Sequence, residues 1–488
     1  MSKPYYLTTT LPYVNAEPHI GFALELVQAD IIARYQSLMG RDVFFNTGTD
    51  EHGIKIYRKA QEEGKDTQAY VDEYAAKFRK LAPALDLSDG TNNSPELHFV
   101  RTTDEKHKAA AQELWRRCLK SGDIYKKKYK GLYCVGDEAF LKEGDLVDGK
   151  CPNHPSMEPI EIEEENYFFK LSAYQEKLLT YLGKEGVIVP EWRKQEAIKF
   201  VEQGLEDFSV SRVKKKMPWG ITVPGNDSQV QYVWFDALTN YISTLGWPLD
   251  SAQGKPDLFK KFWNGGEVVQ MAGKDQVRFQ SIMWQAMLMS AGLKTTDKVV
   301  YHGFITSGGQ KMSKSLGNVI DPIAIVDEYG VDALRYFLAR HIHPFDDSDF
   351  TMERFKEAYN AGLANGLGNL VARIMTLAQT HLPIDTERKH SDLYPEEYRN
   401  ALEKFEFNAS IQYVFECIAE LDKKITETEP FKVIKTNPKE GVELILDLIL
   451  GLYVVGFMLE PFMPSTSKQI RTAVESHKKP ENLFPRKE

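Results

Sequence analysis

Lys311 and Lys314 stand three apart in the run Lys311-Met-Ser-Lys-Ser315, behind Ser307-Gly308-Gly309 and ahead of Gly317-Asn318. Glycine reaches turn conformations closed to other residues, so the run reads as a flexible loop. Two ammonium groups on such a loop can close over a polyphosphate and neutralise charge as it develops. The spacing is not that of a P-loop, which needs Gly-x-x-x-x-Gly-Lys-Ser/Thr. A lone Lys-x-x-Lys is more often a solvated face; the five-residue string is more specific. Val299, Val300, Phe304 and Ile305 are β-branched or aromatic and flanked by breakers, which predicts one short buried strand feeding the loop.

A second candidate lies near the other end of the chain. Tyr5-Tyr-Leu-Thr-Thr-Thr10 predicts a first strand, stopped by Pro12 and the turn formers up to Pro18. Leu24, Val27, Ile31, Tyr35 and Leu38 fall at helical spacing, so a helix begins just after His19-Ile20-Gly21. A helix N-terminus behind a glycine turn offers an anion both free backbone N–H groups and the helix dipole. His19 at that mouth can donate to a phosphate, although a turn histidine is commonly incidental.

Val43-Phe-Phe45 predicts another buried strand, followed by Asp50 and a helix from Ile54. Open α/β sheets bind ligands at strand ends, where a carboxylate can receive an α-ammonium group. A helix cap is the plain alternative for Asp50. Residues 230–241 start as a strand and end in a helix, bringing Trp234, Ala237 and Tyr241 towards one rim. A small residue between two aromatics makes a slot for a long apolar side chain, and thioether sulfur packs well on aromatic edges. Aromatics at this spacing are more commonly plain core.

The elements that must position these groups fit a chain of 488 residues, enough for roughly three domains of about 100–200 residues. Hydrophobic residues at 42% and charged residues at 27% describe an ordinary soluble globular protein. No secretory signal is read at the N-terminus. The apolar run within residues 444–459 carries Asp447 and predicts a buried helix too short in its uninterrupted part to span a bilayer. Four cysteines, Cys118, Cys134, Cys151 and Cys417, point to a reducing compartment. A net charge of −9 argues mildly against indiscriminate nucleic-acid binding. Lys126-Lys-Lys-Tyr-Lys130 and Lys214-Lys-Lys216 are candidate basic tracks or simply solvated faces. Helical patterns near residues 355–380, 395–425, 430–457 and 463–475 predict a terminal helical bundle.

Pro12-Tyr-Val-Asn-Ala-Glu-Pro-His-Ile-Gly-Phe22 resembles the first signature of the class I aminoacyl-tRNA synthetases, and Lys311-Met-Ser-Lys-Ser315 resembles the second. The Pro-Tyr-x-Asn opening is similar to the methionyl members. The resemblance covers essentially the whole chain and implies an α/β fold: a Rossmann-like parallel-sheet nucleotide-binding domain with an inserted connective domain, followed by an all-α anticodon-binding bundle. It divides the chain at 1–118, 119–228, 229–305, 306–365 and 366–488. It implies ATP with Mg2+, L-methionine and tRNA(Met) as ligands of a cytoplasmic monomer, since no appended module follows the bundle.

Carried onto this sequence, the resemblance implies catalysis by His19, Lys311 and Lys314, and ATP binding by Gly21, Phe22, Gly273, Asp275 and Lys314. Methionine would meet Leu11, Tyr13, Asp50, Trp234, Ala237, Tyr241, Gln280 and Trp284. Arg212 either orients Asp50 or is a surface arginine beside the lysine triplet. Asn369 and Arg373, four apart on one helix face, match the pair that reads the anticodon. Phe431 can stack on an unpaired base or belong to the core. Five positions depart from the family pattern: Phe22 and Gln280 replace histidines, Leu238 a proline, Phe431 a tryptophan, and Asp137 a cysteine.

That last departure bears on zinc. Cys134-Val-Gly-Asp137 and Cys151-Pro-Asn-His154 would make a Cys-Asp-Cys-His structural Zn2+ site, or a knuckle held by packing without metal. A metal-dependent hydrolase built on Cys134 and His154 fails for want of open ligands and a nearby base. Two rivals to a methionyl enzyme stand: a class I synthetase for another apolar amino acid, disfavoured by the short insertion, and a tRNA-binding protein with a decayed catalytic site.

Overall fold

The first strand, Tyr5–Thr8 (β1), is buried at every residue, as a strand inside a doubly covered parallel sheet must be. It pairs in parallel with Val43–Thr49 (β2) on one side. On the other it pairs in parallel with a strand much later in the chain, Glu267–Gly273. With Leu97–Arg101 (β3), Ile188–Val189 (β4), that late strand (β5) and Lys298–His302 (β6), the six-stranded sheet runs β3-β2-β1-β5-β6-β4. The connections leave β1 in one direction and return to it from the other. The carboxyl ends of β1 and β5 therefore flank the topological switch point, where such sheets bind ligands. The structure is a computed structural model. It describes the chain apart from residues 1, 92–93, 137–138, 142–143, 145, 153–154, 249–256, 313–316, 384–392 and 488, and apart from the side chains of Tyr129, Ala139, Phe140, Ile162 and Lys311.

The described chain forms two compact units. The first comprises Met1–Pro18, Gly40–Lys80 and Asp89–Tyr301; the second comprises His19–Met39, Leu81–Ser88 and His302–Glu488. The first unit holds the six-stranded sheet over a core that includes Tyr6, Trp115, Tyr241, Trp263 and Trp284. Its insertion is a four-stranded sheet built on a long antiparallel pair, Ile124–Cys134 against Ile160–Phe169. In that register Lys128 faces Glu165 and Lys130 faces Glu163. Lys130 pairs with Glu161 at 2.5 Å, and Lys216 with Glu164 at 2.7 Å. One lysine of each track is thus paired with a glutamate of the same strand, while Lys126 and Lys127 lie over the rings of Tyr167 and Phe168.

In the second unit, helix α1 (Ile20–Leu38) is buried on several sides, and Asp30 within it is fully buried. Asp30 accepts hydrogen bonds from Arg335 (2.7 Å), Arg34 (2.8 Å) and the Ser88 N–H (2.7 Å). Arg335, also fully buried, donates to the carbonyls of Leu85, Pro461 and Phe462. The one strand expected over 299–305 is two, because β6 ends at His302 and a separate strand covers Ile305–Ser307. Gly303 lies in the break, where the chain passes so close to the Asp346 backbone that a Cβ would lie 2.2 Å from it.

The bundle follows as Met352–Ala358, a π-helical stretch Tyr359–Gly368, Asn369–His381, Glu396–Glu403, Phe407–Thr428, Pro430–Thr436, Pro438–Met458 and Pro464–Ser476. Two helices expected to be continuous are broken. Buried Phe405 is left-handed (φ 61°), and Asn437 caps a new helix whose first residue is Pro438. Pro438–Met458 is, by length and composition, apolar enough to cross a membrane when the charge of Asp447 inside it is tolerated. Its Ile445, Leu448, Ile449, Leu452, Val455 and Met458 form one buried stripe, so we read it as the bundle's core helix.

Candidate functional site

In the second unit, the start of α1 is organised by His19. Its backbone is extended (φ −136°, ψ 174°) and its Nδ1 accepts from the Gly21 N–H at 3.1 Å, so the imidazole is the N-cap. The ring lies so close over Gly21 that a Cβ there would sit 2.8 Å from His19 Cε1. The Ile20 N–H donates to the Ile320 carbonyl at 3.0 Å, tying the helix start to the segment that follows the lysine loop. Phe22 donates its N–H to the His19 carbonyl and lays its ring against the imidazole, centroids 4.4 Å apart. The free N–H groups expected at this terminus are therefore engaged, on Ile20, Gly21 and Phe22 alike. What remains to meet an anion is the helix dipole and the Nε2 of His19. Burial lowers the imidazole from its ordinary value to about 4, so at neutral pH the ring is uncharged. With Nδ1 accepting, its single proton is on Nε2.

The lysine loop of the same unit leaves a two-residue hairpin. Ile305–Ser307 pairs antiparallel with Gln310–Lys311 around Gly308 and Gly309, both at positive φ (62° and 73°). Asp349 latches the turn, accepting from the Gly309 N–H at 2.8 Å and from Thr306 Oγ1 at 2.9 Å. The Lys311 backbone ends this hairpin; Lys314 lies outside the described residues. In the bundle, Asn369 is exposed at the head of its helix and Arg373 is paired with Asp422. Phe431 is 42% exposed, which removes the core alternative for it.

In the first unit, the loop after β1 runs alongside the end of β2. The Asp50 N–H donates to the Pro12 carbonyl at 2.9 Å and Tyr13 bridges to Asp50 in parallel, bringing half-buried Leu11 and Tyr13 beside the buried Asp50. Asp50 is not a helix cap: the next helix, Ile54–Glu62, starts at Gly53 with no side-chain cap. Arg212 is buried, with its guanidinium over the rings of Tyr232 (4.6 Å) and Tyr133 (5.4 Å), so it is not a surface arginine. It donates to Ser209 Oγ and the Ser211 carbonyl, both at 2.8 Å.

Tyr241, Gln280 and Trp284 form one buried cluster. The Gln280 amide donates to the Tyr241 hydroxyl, and the Tyr241 and Trp284 rings lie 5.8 Å apart. Gln280 Oε1 and Trp284 Nε1 are buried polar atoms with no hydrogen-bond partner among the described residues. Gln280 sits in a π-helical turn, Arg278–Met283, an irregularity frequent at functional sites. Trp234 stacks on Phe279 with centroids 3.8 Å apart, and Ala237 is buried one helical turn further on. Gly273 ends β5, and Asp275 follows it exposed in a short 3-10 turn. The expected zinc ligands divide: Cys134 and Cys151 are both buried, whereas Asp137 and His154 lie outside the described residues.

Sequence reasoning missed a buried polar network in this unit. Asp236, on the helix Val233–Leu238 that carries Trp234 and Ala237, is fully buried between two histidines. Its Oδ2 is 2.7 Å from His52 Nδ1 and its Oδ1 is 2.8 Å from His107 Nε2. Burial alone would raise its carboxyl; the two imidazoles outweigh that and hold it below the ordinary value. Glu51, also fully buried, accepts from Nε and Nη2 of Arg101 at 2.7 and 2.8 Å. The available signal was position, since His52 follows Asp50 by two residues and Asp236 lies between Trp234 and Ala237. Nothing local marks His107.

Comparison with known proteins gives one answer. The family described as "tRNA synthetases class I (M)" matches residues 5–158 and 155–375. A methionine–tRNA ligase of Caldanaerobacter subterraneus subsp. tengcongensis is 40% identical over 486 residues, 96% of this chain and 74% of that one. The corresponding ligase of Brucella suis biovar 1 is 38% identical, covering 96% and 91%. Mycobacterium tuberculosis methionyl-tRNA synthetase in complex with methionyl-adenylate superposes with a TM-score of 0.88 at 34% identity, over 99% of this chain and 100% of that one.

Proposed function

We infer the workings of this chain from a plain premise: it belongs to the class I tRNA synthetases of the methionyl type. It is an ATP-dependent ligase that activates methionine and charges tRNA with it. The methionine carboxylate attacks the α-phosphate of ATP, which enters as its magnesium complex. An acyl–phosphate bond forms as the bond to pyrophosphate breaks. A terminal ribose hydroxyl of the tRNA then takes the acyl group, and AMP leaves.

The residue roles are our reading. His19 Nε2–H donates to phosphate at the start of α1, and Lys311 and Lys314 neutralise the departing pyrophosphate. Asp275, with Gly273 before it, accepts from the ribose. Asp50 receives the α-ammonium group and Arg212 orients it. The thioether side chain lies among Trp234, Ala237, Tyr241, Gln280 and Trp284. Asn369, Arg373 and the exposed Phe431 face the anticodon. The observation that carries the substrate assignment is the buried Tyr241–Gln280–Trp284 cluster, where aromatic walls and a few polar atoms suit a long thioether chain.

Amino-acid-dependent ATP–pyrophosphate exchange across the twenty amino acids tests this directly. Exchange with methionine alone is expected. Exchange led by another amino acid overturns the pocket assignment, and tRNA binding without any exchange indicates a decayed site. We assign the protein to the cytoplasm as a monomer; light scattering on the purified chain checks the monomer, and cell fractionation the location.

A further inference from the structure

We propose that Asp236 is a positioning residue that fixes the amine-binding and side-chain-binding elements of the methionine site relative to one another. The proposal rests on the reading of Asp50, Trp234 and Ala237 given above, and it concerns a group that touches no substrate in that reading.

A carboxylate can only accept hydrogen bonds, so the two contacts of Asp236 put a proton on His52 Nδ1 and another on His107 Nε2. His107 Nδ1 in turn lies 2.9 Å from the Ser243 hydroxyl. Each partner belongs to a different element. His52 is in the turn that carries Asp50 out of β2. His107 is in the first turns of the helix Glu105–Lys120. Asp236 itself is one position from Ala237 and two from Trp234, in the helix Val233–Leu238. One carboxylate therefore ties together three segments that are distant in the sequence.

The turn bearing Asp50 is pinned from its other side as well. The Trp219 indole donates to the Glu51 carbonyl at 2.6 Å, and the Gly53 N–H donates to the Trp219 carbonyl at 3.2 Å. Apolar residues of similar volume commonly stabilise a core as well as a buried ionic group does, so burying one here is better explained by what it specifies. Both oxygens of Asp236 are satisfied only when the Asp50 turn and the Trp234 helix stand at one separation. In the reading given above, that separation sets how far the group receiving the ammonium stands from the walls that receive the thioether.

Full-length variants Asp236→Ala, Asp236→Asn and His107→Ala, assayed by ATP–pyrophosphate exchange with methionine and ATP varied separately, test the idea. The expected result for Asp236→Ala is a methionine KM raised at least tenfold with the ATP KM within twofold of wild type. Asp236→Asn keeps the volume and one acceptor, so its methionine KM should fall between the two. A merely structural role would lower the unfolding temperature without moving the methionine KM of the folded protein. The proposal is overturned by a folded Asp236→Ala enzyme with a methionine KM within twofold of wild type, or by equal rises in both KM values. If circular dichroism shows Asp236→Ala unfolded, Asp236→Asn and His107→Ala are judged by the same criterion. Wild-type exchange led by another amino acid would defeat the methionine reading alone; the variants would then decide positioning with that amino acid.

Discussion

His19→Asn separates two jobs that one imidazole performs. As N-cap of α1, His19 accepts from the Gly21 N–H at 3.1 Å, a contact worth about 1 kcal/mol. Asparagine is among the best capping residues and supplies an acceptor at the same place, so this contribution should survive. The second job, donation from Nε2–H to a phosphate, is lost because the shorter side chain does not reach. Removing one preorganised donor costs about 3–4 kcal/mol of transition-state stabilisation, or roughly 10²–10³ in kcat. The expected result is a thermal unfolding midpoint close to wild type with pyrophosphate exchange down by at least a hundredfold. His19→Ala should lose both. If His19→Asn exchanges within threefold of wild type, His19 is a cap and nothing more, and the phosphate role is wrong.

The same residue makes a pH prediction whose sign is fixed by burial. The folded imidazole is lowered to about 4, against about 6.5 in an unfolded chain. Between those values the unfolded chain binds more protons, so stability rises with pH through the window. The His19 contribution is fully present above about pH 6.5 and is lost as pH falls towards 4. Activity should show no His19 titration between pH 6 and 8. An acid limb near 6.5 that disappears in His19→Asn would refute the neutral-donor account.

Further substitutions probe the other groups. Gly21→Ala should mimic the catalytic loss of His19→Asn, because its Cβ would displace the imidazole it lies 2.8 Å from; exchange kinetics read this. Asp30→Asn removes the charge partner of buried Arg335 and should destabilise the protein by about 3–5 kcal/mol, measured by urea denaturation. Gln280→Leu removes a partner of the buried Tyr241 hydroxyl at a cost of about 1–3 kcal/mol, seen as a methionine KM raised roughly 5- to 150-fold. Phe431→Ala should weaken tRNA binding by about 1–3 kcal/mol if the ring stacks on a base, while exchange and the unfolding midpoint stay unchanged because the ring is exposed.

Legibility in the sequence followed the range of the interactions involved. The strand Tyr5–Thr8 and the helix beginning at Ile20 could be read because periodicity and the breakers between them act within a few residues. The turn ahead of Lys311 was marked by its glycine pair for the same reason, although the hairpin it closes was not. The breaks at Phe405 and Asn437 were invisible to a helical pattern, since a left-handed residue and a new cap leave the apolar spacing on either side intact. The glutamates that face Lys128 and Lys130 lie some 35 positions later, so no local reading of Lys126–Lys130 could include them. The free N–H groups inferred at the start of α1 failed because Ile320, far along the chain, takes one of them and the His19 ring bends back to take another. Asp236 is the strongest case. Its partners are 184 and 129 residues away, so no window along the chain could contain them. The side chains proposed to touch substrate lie in local motifs that recur as units, whereas the group proposed to hold those motifs at their working distance is defined only by the tertiary fold.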